Sequence, residues 1–255
     1  MRKKKIVLIL VIVLIIITSC TKKPSKQKEL LIYCGITMVK PMSEIKLLIE
    51  KEYDCKILIS KGGSGNLLSS LKSNKIGDLY LPGDDSYIEK CWEQNLISDT
   101  IFVGYNKAAI MVQKGNPKNI SSDLNNLLNK DYRVVMGNPE SSAIGRITKK
   151  MLTKKGIFDE VMKNVLLLTT DGKKMLRVLK EKKADLIISW SAFAKWEEHK
   201  DYVTEIEIDE KYAKKKKLVI GLLKTSKYPE ISKKFMELAG SKRGKEIFHK
   251  YGLGN

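Results

Sequence analysis

Histidine is scarce in this chain. There are two in 255 residues, His199 and His249, and both stand in lysine-rich helical or near-terminal stretches where a surface position is the expectation. The order of residues does not exclude a Ser-His-Asp arrangement, but no G-x-S-x-G nucleophile elbow is present, and Gly63-Ser64-Gly65 lacks that spacing. The glycine-rich run Gly62 to Gly65 is not followed by Gly-Lys-Ser/Thr, so it is no P-loop. The four cysteines match no zinc-binding pattern. The lysines are scattered, with no aromatic stacking platform among them, which argues against a nucleic-acid partner despite the charge. There is no internal repeat, and the chain holds no run of about 20 apolar residues of the kind that spans a bilayer.

What the chain does have at its start is a short apolar run behind positive charge. Arg2, Lys3, Lys4 and Lys5 precede the apolar residues Ile6 to Ile17, and Thr18-Ser19-Cys20 follows. A positive n-region, a short apolar h-region and small residues at the cut describe a secretory signal over residues 1–19. Ile17-Thr18-Ser19-Cys20 resembles the bacterial lipobox, which implies lipidation of Cys20 and cleavage before it. Two or three acyl chains hold a protein on a membrane stably where one does not. Residues 20–28 are polar and lysine-rich and read as a tether. Cleavage removes the four leading charges and leaves 236 residues of formal charge +15. A basic surface held beside an anionic membrane suits that charge. Cys34, Cys55 and Cys91 remain in the mature chain, and an odd number outside the cell leaves at least one thiol free. Their spacing does not say whether two of them pair.

Strand and helix patterns alternate through the rest. Strands are expected at Glu29–Cys34, Lys56–Ser60, Asp78–Leu81, Arg133–Met136, Val165–Thr169, Asp185–Trp190 and Leu218–Leu223. Helices are expected at Pro41–Tyr53, Asn66–Ser73, Ser86–Asn95, Ser121–Leu128, Ala143–Lys154, Lys173–Lys182, Pro229–Leu238 and Gly244–Lys250. Thr100–Gln113 reads as one long strand leaving a first lobe for a second. The pattern implies an α/β fold of two lobes, each a mostly parallel sheet flanked by helices, with the ligand cleft between them. Residues 29–106 plus 213–255 form lobe 1 and residues 107–212 form lobe 2.

Four strand-to-helix junctions are rich in glycine and hydroxyls: Gly35 to Met38, Gly62 to Asn66, Ser141 to Gly145 and Thr169 to Gly172. Each offers free backbone N–H groups at a helix N-terminus, which favour an anion. Taken singly, such loops are ordinary caps and turns; Asp171 reads as an N-cap. Asp84 and Asp85 could hold a cation or act in acid–base chemistry, though capping the helix at Ser86 is the plainer reading.

From Leu30 to Gly252 the chain resembles the molybdate-binding proteins of ABC importers, with their type II periplasmic-binding-protein fold. The resemblance is carried by Gly35 to Val39 after the first strand, by KGGSGNL at 61–67, by GDLYLPGD at 77–84, by Gly137-Asn138-Pro139-Glu140 with Ile144-Gly145, by ADLIISW at 184–190, and by the C-terminal stretch from Ala239 to Gly252. It implies hydroxyl ligands at Thr37 and Ser64 and backbone N–H ligands at Ile144 and Gly172. Trp190 stands where the family often has a tyrosine that donates to the oxyanion. The implied protein is a monomeric, lipid-anchored binding component, outside the cytoplasm, that hands molybdate or tungstate to an importer permease. It is not an enzyme, and it needs no cofactor and no metal beyond the Mo or W of its ligand. The alternatives are the same fold for phosphate, sulfate or an organic anion, a lipid-anchored enzyme, and a surface adhesin.

Overall fold

Alternating apolar runs and amphipathic helices build two sheets. The computed structural model describes residues 27–254; the leader, Cys20 and most of the tether lie outside the described residues. In chain order the elements are β1 (Lys28–Gly35), α1 (Val39–Glu52), β2 (Cys55–Gly62), α2 (Ser64–Asn74), β3 (Leu79–Leu81), α3 (Ser86–Glu93), β4 (Ile97–Asn106), β5 (Ala108–Gln113) and β6 (Val134–Gly137). Then come α4 (Ala143–Lys155), α5 (Phe158–Asn164), β7 (Val165–Thr169), α6 (Gly172–Lys180), β8 (Leu186–Trp190), β9 (Val203–Glu207), β10 (Lys216–Leu223), α7 (Pro229–Gly240) and α8 (Lys242–Lys250).

The first sheet has the order β2-β1-β3-β10-β4 and the second β7-β6-β8-β5-β9. In the first, β1 pairs in parallel with β2 and β3, while β10 runs antiparallel to β3 and β4. In the second, β6 pairs in parallel with β7 and β8, while β5 runs antiparallel to β8 and β9. Four strands of each sheet therefore point one way and one points back. The reversed strands, β5 and β10, are those that follow a passage from one sheet to the other. This is the expected two-lobed α/β fold.

Helix placement follows the apolar spacing. In α1, Met42, Ile45 and Ile49 recur at helical intervals and are buried against the sheet. In α4 a Ser142 cap starts the helix and Gly156, in the left-handed region, ends it. One apolar cluster fills the core of lobe 1 with Leu30, Ile32, Ile220 and Phe235. A second fills lobe 2 around Ile110, Val135, Ile187 and Phe193, and continues into the α2 and α3 side of lobe 1 through Leu67, Leu71 and Ile88. Each such aliphatic side chain contributes about 1.5–3 kcal/mol when removed from water.

Three expectations are corrected. Thr100–Gln113 is not one strand: Lys107 separates β4, which pairs with β10, from β5, which pairs with β8 and β9. Ser121–Leu128 holds a 3-10 helix over Leu124–Leu128, opened by Asp123 accepting from the Asn125 N–H. Elements α5 and β9 add to the expected order. Only Val161 is buried in α5, and β9 is an edge strand with just two apolar residues, Val203 and Ile206, so neither carries a strong apolar pattern.

Candidate functional site

The four glycine- and hydroxyl-rich junctions lie at the carboxyl ends of β1, β2, β6 and β7, where helix N-termini gather in an open α/β sheet. All four open onto one small cavity between the lobes. Lobe 1 lines it with Gly35, Ile36, Thr37, Gly62, Gly63, Ser64 and Gly83; lobe 2 lines it with Ser142, Ala143, Ile144, Asp171, Gly172, Trp190 and Phe193. The five residues singled out on the sequence, Thr37, Ser64, Ile144, Gly172 and Trp190, are thus brought together, and Cys20 lies outside the described residues. The cavity measures about 20 Å³.

The donors are backbone and hydroxyl groups. Helix α2 has no side-chain cap, so the N–H groups of its first turn have no intrahelical partner. In α4 the Ser142 hydroxyl takes the Gly145 N–H at 3.3 Å, and in α6 the Asp171 carboxylate takes the Lys174 N–H at 3.0 Å. Each cap satisfies the third N–H of its helix and leaves the first two, at Ala143 and Ile144 and at Gly172 and Lys173, without an intrahelical partner. Asp171 is the N-cap expected of it. Helix dipoles of α2, α4 and α6 add positive potential at these N-termini.

Ser64 is buried, and its Oγ accepts the Gly83 N–H at 2.9 Å. That bond uses a lone pair and leaves the hydroxyl proton free to be donated. The Thr37 hydroxyl donates to the Met38 thioether at 2.9 Å, a weak acceptor that a ligand oxygen would outcompete, and accepts from Asn106 Nδ2 at 3.3 Å. Asn106 ends β4 and also reaches the Gly83 carbonyl at 3.4 Å, so it ties Thr37 to the passage between lobes. Sequence reading missed Asn106 as a supporting residue. The signal was an amide side chain between the largely apolar runs Ile101–Tyr105 and Ala108–Val112.

The lobes meet at backbone distance. A Cβ on Gly65 would stand 2.9 Å from the Glu140 carbonyl, and one on Gly83 would stand 3.1 Å from the Ala143 Cβ. Trp190 ends β8, is buried, and packs its ring edge beside Gly83. An ion pair crosses the cleft beside the cavity. Arg146 Nη2 of α4 lies 3.0 Å from both carboxylate oxygens of Asp84. Asp84 is 1% exposed and Arg146 16%. Asp84 also accepts from the Ser86 N–H at 3.0 Å, so the capping expectation holds for it, whereas Asp85 makes no side-chain cap bond. A second bridge, Lys40 to Glu198 at 2.5 Å, crosses the cleft at a more exposed edge.

His199 corrects the surface expectation: it is buried, stacked on Trp196, and its Nδ1–H donates to the Phe193 carbonyl at 2.8 Å. Burial holds its pKa below the ordinary value, partly offset by that carbonyl and by Glu198. His249 is exposed, as expected. Cys34, Cys55 and Cys91 are all buried and free among the described residues, and burial raises each thiol pKa. Among the described residues there is no group of three or more His, Cys, Asp or Glu placed to hold a metal ion, and no helix long and apolar enough to cross a membrane. A larger hollow of about 500 Å³ lies between β4 and α8, remote from the four junctions.

A family model described as "Bacterial extracellular solute-binding protein" matches residues 30–254. A "Putative binding protein" of Haemophilus influenzae is 24% identical over 225 residues, covering 88% of this chain and 90% of that protein. The "Putative ABC transporter substrate-binding lipoprotein YvgL" of Bacillus subtilis is 24% identical over 234 residues, covering 89% and 87%. Among solved structures, the periplasmic molybdate-binding protein of Azotobacter vinelandii superposes with a TM-score of 0.77 at 14% identity, over 89% of this chain and 99% of that one. At that identity the likeness shows the fold alone.

Proposed function

The chain belongs to the bacterial extracellular solute-binding proteins, and on that premise we propose that it binds a small tetrahedral oxyanion, of the molybdate or tungstate type, for an ABC importer. The observation that carries this reading is the cavity itself. It is small, lined by both lobes, and offers N–H and hydroxyl donors, with no lysine or arginine and a single carboxylate, Asp171, among its lining residues. Neutral donors at converging helix N-termini are sufficient for an anion. Pockets for larger organic ligands run to about 300–1,000 Å³, far above the roughly 20 Å³ enclosed here. A site in which donors outnumber acceptors favours an ion that keeps no proton, as molybdate and tungstate do at neutral pH. Thr37 and Ser64 supply hydroxyl protons, Ile144 and Gly172 supply backbone N–H groups, and the Trp190 indole takes the remaining side. Lobe closure about the two passages between sheets surrounds the ion and excludes water.

One observation favours phosphate as a second reading. Asp171 lines the cavity, and a protonated phosphate oxygen needs an acceptor. Against it, that carboxylate is already engaged by the Lys174 N–H.

Thermal unfolding of residues 22–255 with molybdate, tungstate, sulfate, phosphate and small carboxylates separates these readings. A ligand at 100 times its Kd stabilises by about 2.7 kcal/mol, which raises Tm by roughly 5–10 °C for a domain of this size. The expected result is a shift with molybdate and tungstate. A shift with phosphate alone selects the second reading, and no shift with any of them removes the oxyanion reading.

The same proposal places the protein on the outer face of a membrane through lipid on Cys20, with an importer permease as its partner and the monomer as its working form. The lipobox resemblance at Ile17–Cys20 supports the anchor. Cys20→Ala is expected to abolish incorporation of labelled fatty acid and to move the protein out of the membrane fraction. Unchanged membrane retention would count against a lipid anchor.

A further inference from the structure

Asp84 poses a problem for an anion site. It is a buried carboxylate one residue from Gly83, which lines the cavity. A negative charge removed from water is poorly screened, so a bare carboxylate there would oppose a second negative charge. Arg146 resolves the problem from the opposite lobe. It lies two residues beyond Ile144 on the first turn of α4, bonds both Asp84 oxygens, hydrogen-bonds the Ser86 hydroxyl, and stacks on Tyr87 with its guanidinium 3.9 Å from the ring centroid. The other carboxylate at the cavity, Asp171, is only half-buried and is held as a cap by the Lys174 N–H; solvent screens it more effectively.

We infer that Arg146 is a specificity-determining and positioning residue: by crossing the cleft to Asp84 it masks the one fully buried carboxylate beside the cavity and thereby makes closure and anion binding the same event. The pair exists only when the lobes meet, because Asp84 follows β3 in lobe 1 and Arg146 belongs to lobe 2. Closure without it would bury Asp84 uncompensated. Opening returns both charges to water, so the ion pair adds little net stability by itself. Its effect is on which ligand charge the closed form accepts. This inference rests on the oxyanion reading.

A double-substitution cycle tests it. The Kd for molybdate, with sulfate and phosphate as further probes, is measured by calorimetry for the wild type, Arg146→Gln, Asp84→Asn and the double variant. Circular dichroism and ligand-free Tm establish folding in each case. Masking predicts asymmetry. Arg146→Gln exposes the buried carboxylate and weakens anion binding by at least about tenfold. Asp84→Asn leaves a positive charge by the cavity and weakens binding far less, and the double variant recovers most of the Arg146→Gln loss. A merely mechanical latch predicts equal losses for both single variants and no recovery in the double, and that result overturns the inference. If Arg146→Gln does not fold, Arg146→Lys replaces it: it keeps the charge, so masking predicts near-native affinity and a large loss is the overturning result. A wild type that binds none of the anions defeats the oxyanion reading and this inference with it, whereas a wild type that binds but shows symmetric variants defeats the inference alone.

Discussion

Gly63 of lobe 1 meets Thr170 of lobe 2 so closely that a Cβ on Gly63 would stand 2.2 Å from the Thr170 carbonyl oxygen and 2.6 Å from that of Ser141. Both obstacles are backbone atoms of the opposite lobe. The glycine is therefore required by closure and by nothing within its own lobe, where Gly63 has an ordinary extended conformation at φ −69°.

Gly63→Ala should accordingly separate folding from binding. The ligand-free protein can open by a small angle and keep both cores intact, so its Tm should stay close to that of the wild type. Closure must then either distort the α2 start or stop short. Overpacking of this kind costs about 1–3 kcal/mol, which corresponds to roughly 5- to 150-fold in Kd. Calorimetric titration with molybdate measures it; unchanged affinity would mean that the lobes need not come this close to hold ligand.

Ser64→Ala removes a hydroxyl with two tasks. Its oxygen accepts the Gly83 N–H at 2.9 Å, and its free proton faces the proposed ligand. Loss of a buried donor to a charged partner is expected to weaken anion binding by about 1–3 kcal/mol. The stranded Gly83 N–H adds a smaller loss of ligand-free stability. Chemical denaturation without ligand reports the second effect and titration reports the first. A variant that loses stability but binds normally would assign Ser64 to the scaffold.

Much of this arrangement was legible in the residues. The four junctions could be placed on one side of the molecule because parallel strands joined through helices, as β1, β2, β6 and β7 are, put their carboxyl ends on the same edge, and glycine with hydroxyl residues marks each turn. The pairing of Asp84 with Arg146 was not legible. They are 62 positions apart and belong to different lobes, and neither local pattern nor periodicity relates them. The break at Lys107 escaped for a different reason: Thr100–Asn106 and Ala108–Gln113 are both good strand sequences, and only pairing partners reveal that they belong to different sheets. His199 was misplaced because its lysine-rich neighbours suggest solvent, whereas a 3-10 turn at Ser191–Lys195 carries the chain back so that Phe193 and Trp196 enclose the ring.

That buried imidazole gives the protein an acid-sensitive element. Burial is the main cause of the lowered His199 pKa; Lys40 and Lys173 add to it, and the Phe193 carbonyl and Glu198 oppose it. The folded state therefore binds this proton less readily than the unfolded chain, whose histidine titrates near 6.5. The stability tied to neutral His199 is complete above that value and is lost as pH falls from it toward the lower folded-state value. Scanning calorimetry between pH 8 and pH 5 should show Tm falling over that window, and His199→Gln should flatten the fall. An equal fall in the variant would assign it to other groups.

Trp190 is the residue at which the resemblance to molybdate-binding proteins breaks, and it decides how far that resemblance can be taken. Its ring is 4% exposed, ends β8 opposite Ala108, and closes one side of the cavity. Packing and hydrogen-bond donation are both available to an indole, and Trp190→Phe keeps an aromatic ring while deleting the N–H. If the indole donates to the anion, this substitution should weaken binding by about 1–3 kcal/mol with little change in ligand-free Tm, and the loss should be similar for molybdate and tungstate, which present the same oxygens. If the ring only walls the cavity, affinity should hold for the larger oxyanions, and the smaller volume of phenylalanine should relax discrimination against ions that wild type excludes by size. Titrating Trp190→Phe with molybdate, tungstate and sulfate distinguishes the two, because the first mechanism lowers all affinities together and the second changes their ratio.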